Sequence, residues 1–491
     1  MSLSTAASAT QSGLAAVTTG IATLSRNISG ASDTSYFSRK TANIVSAGYG
    51  LQVVSITRAS AQAVFAKLLS STAASAGQDA LTAGLKRLSQ TLGDVSSDGD
   101  SANSPSALIS AISTALHTYA ASPSDASAAA GVVSAAVTLA QSLNQASAET
   151  QQVRADADAQ IAADVASAND LLGKLEPLNA RIMAGVAASR DVTDLEDQRD
   201  EVVKQLSAKI GVTTNVSGDG DMSVYTDSGV TLFQGGRARS VSFAATTSYA
   251  AATAGAAVYV DGVAVTGAAS PMPLATGEIA GLATLRDVDA PTYQAQLDGM
   301  AMALVQTFKE SAQSGGGQDL PGLFTTSGAS AMPTDAVGLA SQLIVNPAVD
   351  PSQGGDAFLL RDGGIADGGA GAYDYNTTNA ASFTGRLVEL EGKLSGAQNF
   401  STAAALTTSA TLSAFASSSA SWIESKYSGA TDASSYQDAV ASAASTALSN
   451  ATGVNINDEM SKMLDLEQSF SASAKMLSAI NDMFNSLLNG I

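Results

Sequence analysis

The chain has 491 residues, with 44 acidic against 24 basic side chains for a net charge of −20, one histidine, one tryptophan and no cysteine. Without cysteine there is no disulfide framework, thiol nucleophile, cysteine zinc site or iron–sulfur centre, and a single histidine excludes a multi-histidine metal centre. Charged residues make up 14% against about 25% in an ordinary globular chain, and Ala, Ser, Thr and Gly fill the gap.

This composition reads as an extended assembly of small-residue helices more than a compact enzyme, with length for about three domains. The charge is unevenly placed. Residues 1–90 hold seven basic side chains against two acids, or +5, which leaves −25 for the remainder. Residues 451–491 hold five acids (Asp458, Glu459, Asp465, Glu467, Asp482) against Lys462 and Lys475, or −3. The two ends are therefore expected to attract one another. The acidic balance argues against nucleic acid and membrane as partners. Between Met1 and Gly20 there is no apolar core of a cleavable signal, and no run approaches about 18 apolar residues, so no membrane span is expected.

The first 28 residues predict an amphipathic helix with a seven-residue period: Leu3, Thr10, Val17 and Leu24 in one row, Ala7, Leu14, Ile21 and Ile28 in the other. Gly13 and Gly20 each weaken a free helix by about 1 kcal/mol relative to Ala, so this helix needs a partner. From Gly131 to about Gly185 runs a very long helix, or two nearly continuous ones, with Ile161, Val165, Ala168, Leu172, Leu175 and Ile182 on its seam. Asp156, Asp158, Asp164 and Asp170 lie off that seam and read as a solvated face. Thr193 with Glu196 forms a capping box for a helix bearing Leu195, Val202, Leu206 and Ile210, which Gly211 ends.

After Gly211 the period changes to two, with strands at Val212–Val216 and Met222–Thr226. Residues Val258–Val265 predict a hairpin around an Asp261-Gly262 type I′ turn. Helix resumes between Pro291 and about Ser311, with Leu297, Met300, Leu304 and Phe308 on one face; a loop follows at Gly315-Gly316-Gly317, and 350–375 is rich in Gly and Asp. From about Ser382 to Asn450 the chain reads as helix broken near Gly396 and Gly429, with Trp422 as a core anchor. The last 30 residues predict a second heptad helix opening at an Asn457 N-cap, with Met463, Phe470, Leu477 and Phe484 in one row and Leu466, Ser473, Ile480 and Leu487 in the other.

These elements predict an α+β chain, mostly α. Paired terminal helices (1–50 and 451–491) form a coiled coil, and a helical rod spans 51–210, 276–311 and 376–450. A small β domain is inserted at 211–275, and a Gly/Asp-rich loop region (312–375) packs on the rod or the β domain. The assembly seam is assigned to Leu3, Leu14, Val17, Ile21, Leu24, Ile28, Met463, Leu466, Phe470, Leu477, Ile480, Phe484 and Leu487.

No nucleophile elbow, phosphate-binding loop or dinucleotide fingerprint is present. Asp219, Asp221 and Asp227 fail calcium-loop spacing and read as turn chemistry, while His117 has no acid–base partner nearby in sequence. No catalytic, cofactor or metal residue is assigned, and no enzyme activity is expected.

Several stretches resemble the hook-associated protein 1 family of flagellar junction proteins. The C-terminal run Gly453-Val454-Asn455-Ile456-Asn457-Asp458-Glu459-Met460, with Leu464, Gln468, Ala474-Lys475 and Met483-Phe484, is similar to the signature shared by flagellar axial proteins. Asp194-Leu195-Glu196-Asp197-Gln198-Arg199-Asp200-Glu201 is more specific to the junction family, as are Gly281-Leu282 with Leu285-Arg286-Asp287, Tyr293 to Asp298, and Val345-Asn346-Pro347-Ala348. One departure is the Ser35-Tyr36-Phe37 turn, which lacks the family's Gly.

The resemblance implies a structural subunit joining hook to filament, located in the extracellular flagellum. It implies type III export without a cleaved signal and assembly through the paired terminal helices. The implied partners are other copies of the chain, the hook protein, a second hook–filament junction protein, and a cytoplasmic export chaperone at the C-terminal segment. A hook or rod subunit, or a flagellum-associated hydrolase, stands as the alternative.

Overall fold

A computed structural model describes residues 2–32, 38–48, 50–93, 104–367 and 371–489. The Ser35-Tyr36-Phe37 turn lies outside the described residues. The chain is mostly helical with several small antiparallel sheets. Helix α1 (Leu3–Gly30) leads into a hairpin, β1 (Lys40–Ala47) and β2 (Gly50–Arg58), that the sequence reading did not anticipate. Four helices follow: α2 (Gln62–Gln90), α3 (Pro105–Ala121), α4 (Ala126–Ala187) and α5 (Thr193–Lys209).

The inserted β region holds β3 (Val212–Val216), β4 (Met222–Thr226), β5 (Thr231–Gln234), β6 (Arg237–Ala238), β7 (Val241–Ser242), β8 (Tyr259–Val260) and β9 (Val263–Ala264). Then come α6 (Glu278–Thr284), one π-turn (Leu285–Asp289) and α7 (Ala290–Thr307). Strands β10 (Phe324–Thr326) and β11 (Leu343–Val345) pair beyond them, followed by α8 (Leu359–Asp362) and α9 (Gly385–Ser395). Strands β12 (Ala397–Asn399) and β13 (Ser409–Thr411) precede the long α10 (Leu412–Thr452) and α11 (Ile456–Asn489).

α4 is the central column, a single helix of 62 residues. Its predicted seam, from Ile161 to Ile182, is buried throughout, and the helix as a whole packs against α3, α5, α6 and α7. Pro177 lies inside it without ending it; a proline there removes one backbone bond, which the packing on both sides tolerates. Its Ala-rich sequence raises mean hydropathy to 1.4 over one 18-residue window, so by length and composition α4 is apolar enough to cross a membrane where the sequence reading expected no such helix. That window is 39% buried inside the protein.

The acidic residues of α4 require a correction. Asp158 and Asp164 are each 1% exposed, not solvated: Asp158 meets Arg286 at 2.6 Å and Asp164 meets Lys209 at 2.8 Å. Asp170 is exposed, and Asp156 pairs with Arg87 at the surface.

The strands of the β region are short and leave backbone groups that α4 satisfies with side chains. Asn169 both donates to Val241 O and accepts from Val241 N–H, Glu176 accepts from Ala238 N–H, and Asn179 accepts from Met222 N–H. The Asp261-Gly262 turn sits where predicted, with both residues at positive φ (49° and 82°) as a type I′ turn requires.

Other expectations shift. The helix expected from Pro291 begins earlier, at α6. Leu297, Met300, Leu304 and Phe308 are all buried. Thr193 is not the N-cap of α5. Asp191 accepts from both its N–H and its hydroxyl, and Glu196 turns instead to Arg58. The N-cap of α11 is Asn455, not Asn457; its side chain accepts Asn457 N–H, and it stands three residues before Asp458, the first acid of the opening turn.

Trp422 is half-buried against the core, with Lys426 over its ring. The break near Gly396 is real, but Gly429 interrupts nothing: α10 runs unbroken for 41 residues and packs chiefly against α2. The two helices are antiparallel, as the Ser75–Asp438, Ser434–Asp79 and Ser89–Glu424 bonds record. At Gly429 a Cβ meets nothing within 4 Å. Gly429→Ala is therefore expected to stabilise the chain by about 1 kcal/mol, read as a higher midpoint in chemical denaturation.

Candidate assembly interface

α1 and α11 lie side by side and antiparallel. The Asn27–Glu459 bond, and Leu466 packed so close to Gly20 that a Cβ there would touch it, fix the register. The pairing carries Leu3 to the level of about residue 483, so the end of α11 runs past the first described turn of α1. That register explains the burial of the predicted seam. Leu24 and Ile480 are buried, and Leu3, Leu14, Val17, Ile21, Ile28, Met463, Leu466, Leu477 and Phe484 are half-buried. Phe470 is 40% exposed and Leu487, beyond the reach of α1, is 56% exposed.

Two helices without a third layer cannot cover their apolar residues. Met460, Leu464, Met476, Met483 and Leu488 of α11 also face solvent, as do Ile44, Val45, Leu51 and Val54 of the β1–β2 hairpin. The hairpin lies along α1, where Ser12 Oγ accepts from Leu51 N–H. A groove of about 350 Å3 lies between α1, the hairpin and α11, lined by Leu24, Ile44 and Leu466.

At the base of this terminal unit is an ionic joint. Arg26 reaches Asp191, just before α5, and Asp194 in its first turn, both at 2.6 Å. Lys40 Nζ, fully buried, lies 2.8 Å from Asp194 and 3.0 Å from Asp197. Arg58 meets Glu196 at 3.0 Å, Asp197 at 3.1 Å and Asp200 at 2.6 Å. Ser38 donates its hydroxyl and its N–H to Asp197. Buried Asn27 completes the set, accepting Lys40 N–H and donating to Lys40 O and to Glu459, which in turn pairs with Lys462. The joint thus links α11, α1, both hairpin strands and α5.

The sequence reading missed this partnership. It assigned the basic N-terminal residues to the acidic C-terminal helix, whereas Arg26, Lys40 and Arg58 pair with α5. A signal was present: Asp194, Asp197 and Asp200 recur every third residue and so share one helix face.

Burial opposes ionisation at Asp191 and Asp194, but the bonds from Arg26, and at Asp194 also from Lys40, outweigh it and hold both carboxyls below the usual range. At Glu196 and Asp200 burial wins over Arg58 and raises both. The lowered pair contributes stability that is present above the ordinary carboxylate range and is lost as pH falls through the depressed values. The raised pair acts in the opposite sense, its contribution fading as pH rises through the elevated values. Arg26→Gln removes the partner shared by the lowered pair. Between about pH 6 and about pH 3 its stability is expected to fall less than the parent's, measured by urea unfolding across that range.

His117 is exposed and bonds Glu391 on the surface. Asp219 accepts Asp221 N–H within its turn, as expected, whereas Asp221 also meets Asn179 of α4 and Asp227 binds the distant backbone of Ala275 and Thr276, which are tertiary contacts and not turn chemistry. Among the described residues no group of three or more His, Cys, Asp or Glu is placed to hold a metal ion.

Against known families, residues 85–326 match the model of the flagellar hook-associated protein FlgK helical domain. Residues 446–490 match that of the flagellar basal body rod FlgEFG protein C-terminal region. The chain is similar to flagellar hook-associated protein 1 of Salmonella typhimurium (strain LT2), 34% identical over 179 residues, 35% of this chain and 32% of the relative. It is similar also to flagellar hook-associated protein 1 of Escherichia coli (strain K12), 31% identical over 172 residues, 34% of this chain and 31% of the relative. The matches span about a third of the length of these relatives. Among solved structures, the flagellar hook junction protein FlgK from Burkholderia pseudomallei aligns with a TM-score of 0.41 and 24% identity, over 53% of this chain and 47% of that one.

Proposed function

This chain belongs to the flagellar hook-associated protein 1 family, and we propose from that premise that it is a structural subunit of the bacterial flagellum at the junction between hook and filament. The observation that carries the reading is the antiparallel α1–α11 pair, which joins the two ends of the chain and leaves apolar residues of α11 and of the adjoining β1–β2 hairpin exposed for neighbours to cover. In this reading the seam from Leu3 to Ile28 and from Met463 to Leu487 is the assembly surface, and helices marginal on their own gain order in the lattice. The neighbours are further copies of the chain, the hook protein and a second junction protein. A cytoplasmic chaperone holds the C-terminal segment before export, which proceeds without a cleaved signal. The role is structural and not enzymatic. The match at 446–490 fits hook and rod subunits equally well; the helical-domain match over 85–326 favours the junction.

Electron microscopy of cells lacking the protein tests the role. Hooks without filaments, with filament subunits lost to the medium, are expected; filaments of normal number and length would overturn it. Removing Met463–Ile491 takes away one half of the seam. The truncated chain is expected to keep a folded body by circular dichroism yet fail to appear at hook tips.

A further inference from the structure

The α1–α11 stem is asymmetric along its length. The register leaves the last turn of α11 with no α1 beside it, and there Leu487 and Leu488 stand 56% and 71% exposed. At the other end the situation is reversed. The groove between α1, the hairpin and α11 is walled by Leu24, Ala42, Ile44 and Leu466 and stands open among the described residues. One end of the stem thus carries an apolar knob without a hole, and the other an apolar hole without a knob.

The two cannot meet within one chain. α11 is continuous, and at about 1.5 Å per residue the stretch from Leu466 to Leu487 holds the tip about 30 Å from the groove. A copy displaced by that distance along the stem brings them together. The chemistry of the two surfaces also matches. Between Asp482 and Asn489 the tip has no charged residue, so its entry buries no unpaired charge. Lys462 and Asp465 lie at the mouth of the groove, both exposed, and keep their water. The Lys462 ammonium there complements the negative end of the incoming helix dipole.

On the reading that the chain assembles through this stem, we propose that the groove receives Leu487 and Leu488 of a second copy of the chain. The contact is heterologous: each copy gives its tip to one neighbour and its groove to another, so it propagates from subunit to subunit. It forms where the stem is ordered, in the assembled layer, and it fixes a stagger between neighbouring stems.

The chain has no cysteine, so introduced ones report without background. Leu488→Cys with Ile44→Cys is expressed in cells lacking the parent chain, and isolated hooks are oxidised with copper phenanthroline. Dimers and longer ladders are expected on a non-reducing gel, with none from the purified monomer or from hooks carrying either single variant. Restored filaments without a ladder would overturn the groove contact and leave the junction role standing, whereas normal filaments in cells without the chain would defeat the junction role itself. Leu488→Asp reads the same contact without oxidation. Its amount at hook tips is expected to fall at least about tenfold, with circular dichroism of the purified chain unchanged, and Ile44→Lys in the same chain is expected to restore it. Incorporation at the parent level, or a loss that Ile44→Lys does not relieve, would overturn the proposal.

Discussion

Asp158→Ala is expected to lower the stability of the body by about 3–5 kcal/mol, the range found when one partner of a buried ion pair is removed. Asp158 projects from α4 into the crossing segment after β7. One oxygen accepts from Arg286 and from the Tyr249 hydroxyl, and the other from Thr246 N–H. Arg286 has no exposure, and its remaining partners are Asp287 and Ala256 O. A second buried arginine, Arg154, donates to Arg286 O and to the carbonyls of Ala250 and Thr253.

Residues 243–257 contain no strand, and these two guanidinium groups organise their backbone. Removing the carboxylate leaves Arg286 short of its closest counter-charge, beside another cation, with water excluded. Replacing both partners by apolar residues, Asp158→Leu with Arg286→Met, is expected to cost much less than the single change. Urea unfolding of the two variants decides it: a single variant within about 1 kcal/mol of the parent would show that Asp287 alone compensates.

Gly281→Ala is the second large effect, expected to cost about 1–3 kcal/mol through overpacking. α2 and α6 cross with their backbones in contact: Gly277 N–H donates to Ala73 O at 3.0 Å, and a Cβ at residue 281 would drive into the Gly77 carbonyl. Backbone cannot rotate aside, so the helices themselves must separate and strain that bond. Gly84→Ala makes a useful contrast. Its Cβ would strike the end of the Leu285 side chain, which can change rotamer, so the expected cost is smaller. Chemical denaturation of both variants should place Gly281→Ala well below Gly84→Ala; equal midpoints would mean the crossing is softer than its geometry indicates.

The parts of this fold that were legible in sequence are the local ones. The heptad rows of α1 and α11 needed only periodicity, and the Asp261-Gly262 hairpin needed only its turn chemistry. Burial of charge was not legible, because an acid off an apolar seam looks the same whether it meets water or an arginine 128 residues away, as Asp158 does. The N-terminal cations posed the same difficulty. Their sum suggested an acidic mate, but total charge does not say which acidic helix, and Asp197 lies 157 residues from Lys40. Gly429 misled for another reason: a loss of about 1 kcal/mol is small beside the packing of α10 on α2. The glycines at 77 and 281 serve a crossing that only the tertiary arrangement reveals.

The base of the hairpin has a topological consequence. Arg39 N–H donates to Thr452 O, and Ala59 N–H donates to Arg39 O, both at 2.7 Å. The point where the chain departs into the body and the point where it returns are thus pinned to the same residue. Everything between Ala59 and Thr452 is, in effect, a cassette spliced into a helical hairpin through one narrow seat. Its outer regions can grow, shrink or be exchanged without altering the spacing of the two strands that leave it. Variation in the outer surface is thereby decoupled from the α1–α11 stem, which keeps one length and one register whatever cargo it carries.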